Sequence, residues 1–222
     1  MELEYKFSLP IDAKETEDFY TKAAAWSFCG ICLAGPAKRM HTAYFDTPDR
    51  SLDHHRAVLR LRSEDDQTVM TFKLPPPDDV SLKTENDRLQ KPKHLHRSLE
   101  FNVNLKHFYT SPPTDLFAQF YEDWPAGVSQ QLQAALPLAT ESYGEVLFVR
   151  QQHLIQTGTT AIEVAIDRGI FKNQGRELPF AEVEFELKQG DATVLDRLAA
   201  EVSRRYDLKP GLYSKYQQCK AL

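Results

Sequence analysis

Polar and apolar residues alternate strictly over residues 2–9, with Glu2, Glu4, Lys6 and Ser8 on one face and Leu3, Tyr5, Phe7 and Leu9 on the other. That is the period of a β-strand, and Pro10 ends it. Asp12 is placed to cap a helix running through Phe19, Tyr20 and Ala23 to Trp26. The glycine- and proline-punctuated stretch 30–36 then predicts a break. Strands follow over 41–46, 57–63 and 69–74, with turn chemistry at Pro48-Asp49 and Asp65-Asp66. Residues 75–93 are proline-rich, charged and aperiodic, which predicts a long surface loop. Residues 96–105 read as extended, and 114–136 carry two short helical patterns split by Pro125-Ala126-Gly127. Further strands are predicted over 143–156, 161–167 and 180–187, with turns at Gly158 and at 173–175. Asp191 opens a last helix whose apolar face is Val194, Leu195, Leu198, Ala199, Val202 and Tyr206. No internal repeat occurs. Seven or eight strands with a few helices predict one antiparallel α+β domain spanning 1–222.

The alternation has a chemical consequence. Besides Glu2, Glu4 and Lys6, one face carries Arg60 and Arg62; another carries Thr71 and Lys73; another Glu163, Ala165 and Asp167; another Glu182, Glu184 and Glu186. Two readings are open: the charged face meets water over an apolar core, or it binds ions. Single strands here carry nearly pure acids or nearly pure bases, and neighbouring carboxylates repel unless cations neutralise them. Glu2 with Glu4 and Glu182 with Glu184 are hard oxygen donors of the kind Mg2+ or Mn2+ accepts, with Asp167 able to join them. Lys6, Arg60, Arg62, Lys73, Arg150 and Lys215 offer charge-assisted donors for phosphate oxygens. A polyphosphate with its cations needs both sets. With nine glycines and no phosphate loop among them, side chains must do the holding.

Bulk properties narrow the classes. With 41% hydrophobic and 27% charged residues the chain is an ordinary globular protein. The net charge of -5 argues against a broad nucleic-acid footprint. No apolar run is long enough to span a membrane, and Met1-Glu2-Leu3-Glu4 does not open a signal sequence, so a cytoplasmic location is expected. Three cysteines are expected as reduced thiols. Cys29-Gly30-Ile31-Cys32 lacks the second pair a zinc site requires. His54-His55 and His94-x-His96 read as surface histidines. The sequence leaves the oligomeric state open, with a homodimer among the options.

The chain resembles the CYTH domain, or triphosphate tunnel metalloenzyme, family. The resemblance rests on Glu2-x-Glu4-x-Lys6, Tyr44-Phe45-Asp46-Thr47, Leu59-Arg60-Leu61-Arg62, Thr71-Phe72-Lys73, the run 162–169, Glu182/Glu184/Glu186 and Ser214-Lys215, in family order. It implies a closed eight-stranded antiparallel β-barrel, a tunnel lined by these charges with helices packed outside. It also implies hydrolysis of a triphosphate by metal-activated water, with Mg2+ or Mn2+ as cofactor. Carried over by position, the metal ligands are Glu2, Glu4, Asp167, Glu182 and Glu184, and the phosphate-binding residues are Lys6, Arg60, Arg62, Lys73, Arg150 and Lys215. Glu2, Glu4, Lys6 and Asp167 are the implied catalytic set. Arg97 and Glu100 look like the family's Arg-x-x-Glu strand with imperfect spacing, and Gln152 stands where relatives often carry a base. No helical domain of the kind often fused to bacterial relatives is expected after Lys215.

The family contains inorganic triphosphatases, thiamine triphosphatases and class IV adenylate cyclases. The layout is most similar to bacterial inorganic triphosphatases, and Val58 stands where a thiamine-specific enzyme would place a stacking aromatic. Tripolyphosphate is therefore the expected substrate. The alternatives are a nucleoside or thiamine triphosphate, cyclase chemistry, or a non-catalytic polyphosphate- or nucleotide-binding module.

Overall fold

The computed structural model describes residues 1–11, 19, 22, 31–65, 67–76, 95–105, 109–121, 124, 128 and 130–222. The strands are β1 (Glu2–Ser8), β2 (Ile31–Asp46), β3 (Val58–Glu64), β4 (Gln67–Leu74), β5 (Leu95–Leu105), β6 (Glu141–Thr157), β7 (Thr160–Asn173), β8 (Arg176–Gln189) and the two-residue β9 (Lys209–Pro210). Helices are α1 (Ser51–His54), α2 (Ala118–Tyr121), α3 (Gln130–Ala135), α4 (Ala192–Tyr206) and α5 (Lys215–Lys220). The sheet order is β5-β4-β3-β2-β6-β7-β8-β1, and β1 pairs back onto β5, so eight antiparallel strands close into a barrel. Closure leaves no long edge exposed. β9 adds to the outer end of β1 through Phe7 and Ser8.

Strand alternation now has a direction. Leu59, Leu61, Met70, Phe72, Val103 and Leu105 point outward and are covered by α1, α2, α3 and the short turns that adjoin α2 and α3, through Leu52, Phe117, Phe120, Leu132 and Leu136. On the opposite wall, Phe7, Ile162, Val164, Ile166, Val183 and Phe185 point outward beneath Leu195, Leu198, Ala199 and Val202 of α4. Each buried leucine or valine of that helix contributes about 1.5–3 kcal/mol. Asp191 caps α4 by accepting from the Thr193 backbone N–H at 2.8 Å, worth about 1 kcal/mol. The two larger hydrophobic clusters therefore lie outside the barrel and the charged face lies inside.

Two expectations change. The predicted break over 30–36 is strand for its described part: β2 begins at Ile31 and runs through Gly35-Pro36, with a register shift between Ala34 and Ala37. A bulge needs no ladder N–H at the proline, and the Gly35 carbonyl accepts from Gln151 Nε2 at 2.6 Å. The tail becomes α5, started by a reciprocal capping box between Ser214 and Gln217. The predicted helix over 12–26 (Phe19 and Lys22 apart), most of the loop over 75–93, and Cys29, His94 and Pro125-Ala126-Gly127 lie outside the described residues. Among the described residues no helix is long and apolar enough to cross a membrane.

Candidate active site in the barrel lumen

Because Glu2, Glu4 and Lys6 share one face of β1, register carries them into line with the charges of its neighbours. Glu4 lies opposite Glu186, Lys6 opposite Glu184 and Ser8 opposite Glu182 on β8. In turn Glu186 faces Glu163 and Glu182 faces Asp167 on β7, and Asp167 faces Arg150 on β6. Across β3–β5, Arg60 lies opposite Thr71, and Lys73 opposite Glu100. The result is a cavity of about 440 Å³ whose wall includes Glu2, Glu4, Lys6, Arg60, Arg62, Lys73, Arg150, Glu184 and Lys215.

The deepest charges form a knot. Arg150 makes a two-pronged contact to Asp167, Nε to Oδ1 at 2.8 Å and Nη2 to Oδ2 at 2.7 Å, and Nη2 also donates to Glu184 at 2.8 Å. Lys215 Nζ lies 2.7 Å from Asp167 Oδ2 and 2.9 Å from Glu184 Oε1, and also against Glu182 Oε1. Lys6 Nζ lies 2.7 Å from Glu184 and 3.5 Å from Glu182. Beneath them the Phe148 ring faces Arg62, Arg150 and Lys215 at 5.8, 5.7 and 5.4 Å, a favourable contact of cation with π-face. Gly211 packs so closely over the Lys6 stem that a Cβ there would lie 2.6 Å from Lys6 Cγ.

Electrostatics follow from this geometry. Burial works against ionising Asp167 and Glu184, yet Arg150 and Lys215 hold Asp167 below the usual carboxylate range, and Lys215, Lys6 and Arg150 hold Glu184 well below it. Glu2 is likewise buried, but Lys73 at 2.8 Å and the Ser98 hydroxyl at 2.5 Å bring it down to about 2. Glu4 differs. Burial and the neighbouring Glu184 push it up to about 8, because Lys6 approaches only to 4.0 Å. Among the bases, Arg62 donates to the Thr42 hydroxyl at 3.1 Å, and burial with the nearby Arg60 and Arg150 lowers it to about 10.

The lumen ends in a plug. Met40, Tyr44, Val146, Phe148, Phe171 and Phe180 continue the lumen-facing rows of β2, β6, β7 and β8 and pack against Tyr216 and Cys219 of α5. α5 is held by Asp53 of α1, which accepts from Tyr216 Oη at 3.2 Å and pairs with Lys220. Lys215 thus reaches the lumen from a helix and not from a strand.

All eleven residues singled out from the sequence converge, though not equivalently. Asp167 and Glu182 are buried and stand outside the cavity wall, sealed behind Arg150, Lys215 and Lys6. Arg97 and Glu100 face opposite sides of β5: Glu100 lines the lumen, while Arg97 reaches Met1 Sδ at 3.3 Å on the surface. Gln152 and Val58 line the cavity. His96, expected at the surface, lies on β5 opposite Glu4 and its Nε2 is 3.0 Å from the Gly211 carbonyl; burial lowers its pKa. Glu64, Asn102, Asn104 and Lys188 also line the lumen, and sequence reasoning passed over them. The signal was present, because Glu64 and Lys188 extend the same alternate positions as Arg60/Arg62 and Glu184/Glu186.

The donor set fits a hard divalent ion. Asp167, Glu182 and Glu184 offer carboxylate oxygens that all lie within 4.8 Å of one another, and Glu182 Oε1, though against Lys215, makes no hydrogen bond. Such oxygen-only donors suit Mg2+ or Mn2+.

Comparison with known proteins agrees with the barrel. The CYTH domain profile matches residues 1–216. The inorganic triphosphatase of Haemophilus influenzae is 28% identical over 149 residues, covering 67% of this chain and 36% of that protein, so the chain spans about a third of that relative's length. Among solved structures, a putative adenylyl cyclase from Hippeastrum, described as having a dominant triphosphatase activity, superposes with a TM-score of 0.64 at 15% identity over 100% of this chain and 96% of that one. A putative adenylate cyclase from Bacillus halodurans gives 0.57 at 18% identity over 98% and 96%.

Proposed function

From the premise that the chain belongs to the CYTH domain family, we propose that it hydrolyses inorganic tripolyphosphate to pyrophosphate and phosphate, with Mg2+ or Mn2+, as one domain over residues 1–222 in the reducing cytoplasm. The observation that carries this reading is the lumen wall, where bases from five of the eight barrel strands and α5 converge on a cavity of about 440 Å³. Among the described lining residues the only rings are Tyr44 and Tyr216, both at the plugged end. A nucleobase or thiamine ring finds no aromatic stacking partner among the described residues on the open part of that wall, whereas phosphate oxygens meet charged donors from several strands.

Arg60, Arg62, Lys73 and Lys6 bind and orient the phosphates, with Arg150 and Lys215 at the deep end. Glu2, Glu4 and Glu184, on the cavity wall, are the acids that would hold a divalent ion against the substrate, and Asp167 and Glu182 complete the set from behind. Such an ion supplies neutralisation of phosphate charge and acidification of the attacking water. A bound triphosphate draws Arg150, Lys215 and Lys6 toward itself, which frees carboxylate oxygens for the ion. The plug excludes water from one side, so the fixed donors act at low local dielectric.

Assays of phosphate release from tripolyphosphate, ATP and thiamine triphosphate, each with Mg2+ and Mn2+, test the reading. Tripolyphosphate is expected to give the highest kcat/KM. Formation of cyclic AMP without phosphate release would overturn it in favour of a cyclase, and tight binding of tripolyphosphate without turnover would reduce the protein to a binding module.

A further inference from the structure

The lumen has one packed end, and its bases grade away from it. Side chains of Lys6, Lys215 and Arg150 are 3%, 5% and 9% exposed, whereas Lys188 on β8 is 41% exposed and still lines the cavity. Resting on the tripolyphosphatase reading, we propose that Lys188 is a rim base that engages phosphates lying beyond those buried in the lumen. The tunnel then accepts the end of linear inorganic polyphosphate longer than three units.

Three features support this. First, Lys188 is held by two acids, Glu186 at 2.8 Å and Glu163 at 3.7 Å. No other ion pair involving either acid is found among the described residues, so releasing Lys188 disturbs nothing deeper. Second, an ion pair this exposed is worth little, about 0–1 kcal/mol, and the lysine stem is long and flexible, so an incoming phosphate oxygen can displace the carboxylates. The knot around Lys215, only 5% exposed, lacks that screening by solvent. Third, the two residues that hold Lys188, Glu163 and Glu186, offer no ring for a nucleoside to stack on. The two carboxylates that Lys188 leaves behind then face the divalent counterions that accompany any polyphosphate, which offsets their repulsion of the chain.

The test compares wild type, Lys188→Ala, Lys188→Glu and Lys188→Arg on tripolyphosphate, on tetrapolyphosphate and on a medium-chain polyphosphate. The quantity read is the ratio of kcat/KM for a longer chain to that for tripolyphosphate. Losing one charge-assisted phosphate contact is expected to lower that ratio about fivefold in Lys188→Ala, further in Lys188→Glu, and to restore it in Lys188→Arg. An unchanged ratio in both the alanine and glutamate variants overturns the assignment even if tripolyphosphate is turned over. Should wild type turn over none of the three, the tripolyphosphatase reading fails instead. The same ratio is then read from calorimetric dissociation constants of the chains, where equal affinity of wild type and Lys188→Glu for the longer chains would again overturn it. Because Lys188 is exposed, the variants are expected to fold, which thermal unfolding checks.

Discussion

The knot around Lys215 and the triad around Lys188 use the same chemistry, one lysine set among several carboxylates, at opposite extremes of burial. Lys215 is 5% exposed and touches Asp167, Glu182 and Glu184; Lys188 is 41% exposed and touches Glu186 and Glu163. Sealed from water, the first set cannot lose a partner without stranding a charge. The second can exchange partners with solvent or ligand. Burial, and not residue type, therefore separates ion pairs that only a charged substrate with its cation can replace from ion pairs that solvent also exchanges.

The sharpest way to break this contrast is Asp167→Asn. Arg150 and Lys215 lose their common counter-charge in a dry site, and urea denaturation is expected to show a loss of about 3–5 kcal/mol. A loss below about 1 kcal/mol would place the knot in the exchangeable class. Next comes Glu4, the lumen acid that burial and Glu184 push up to about 8. The folded protein keeps this proton where the unfolded chain, near 4.5, releases it. The stabilisation is therefore complete below pH 4.5 and is lost as pH rises through about 8. Denaturation in chelator is expected to show Glu4→Gln gaining on wild type steadily between pH 5 and 8, by a few kcal/mol at most on the order-of-magnitude scale of such shifts. A constant difference across that range would contradict the assignment.

Gly211→Ala probes how the knot is set. The added methyl meets the Lys6 stem, and relieving that overlap is expected to cost about 1–3 kcal/mol in a packed site. The same displacement of Lys6 should raise KM for tripolyphosphate more than it lowers thermal stability would explain. An unchanged KM would show that Lys6 tolerates the shift. The smallest expected effect is on stability in Lys188→Ala, about 1 kcal/mol or less at neutral pH; a larger loss would merge the rim with the knot.

Much of the site was legible because period-two alternation is a local property. Glu2, Glu4, Lys6, Arg60, Arg62 and Lys73 could be sorted onto common faces from spacing alone, and β7 and β8 differ from expectation mainly in that β7 runs on to Asn173 and β8 starts early, at Arg176. Proline misled the reading of β2, since a bulge accommodates Pro36 where a regular ladder would not. His96 misled it too. Its ring meets the Gly211 carbonyl, more than a hundred residues away in sequence, and no local pattern reports such a neighbour.

What the sequence determined by itself was the set of strands, the two faces of each, and the match of ordered motifs from Glu2 to Lys215. Alternation says which side chains share a face but not which face turns inward. That was decided by the closure of β1 onto β5 and by the helices that cover Leu59, Phe72, Val164 and Phe185 from outside. Tertiary structure alone also sealed Asp167 and Glu182 behind their bases, closed one end of the lumen with α5, and left Lys188 at the rim. All three depend on contacts between segments far apart in the chain, whose burial and register no local period encodes.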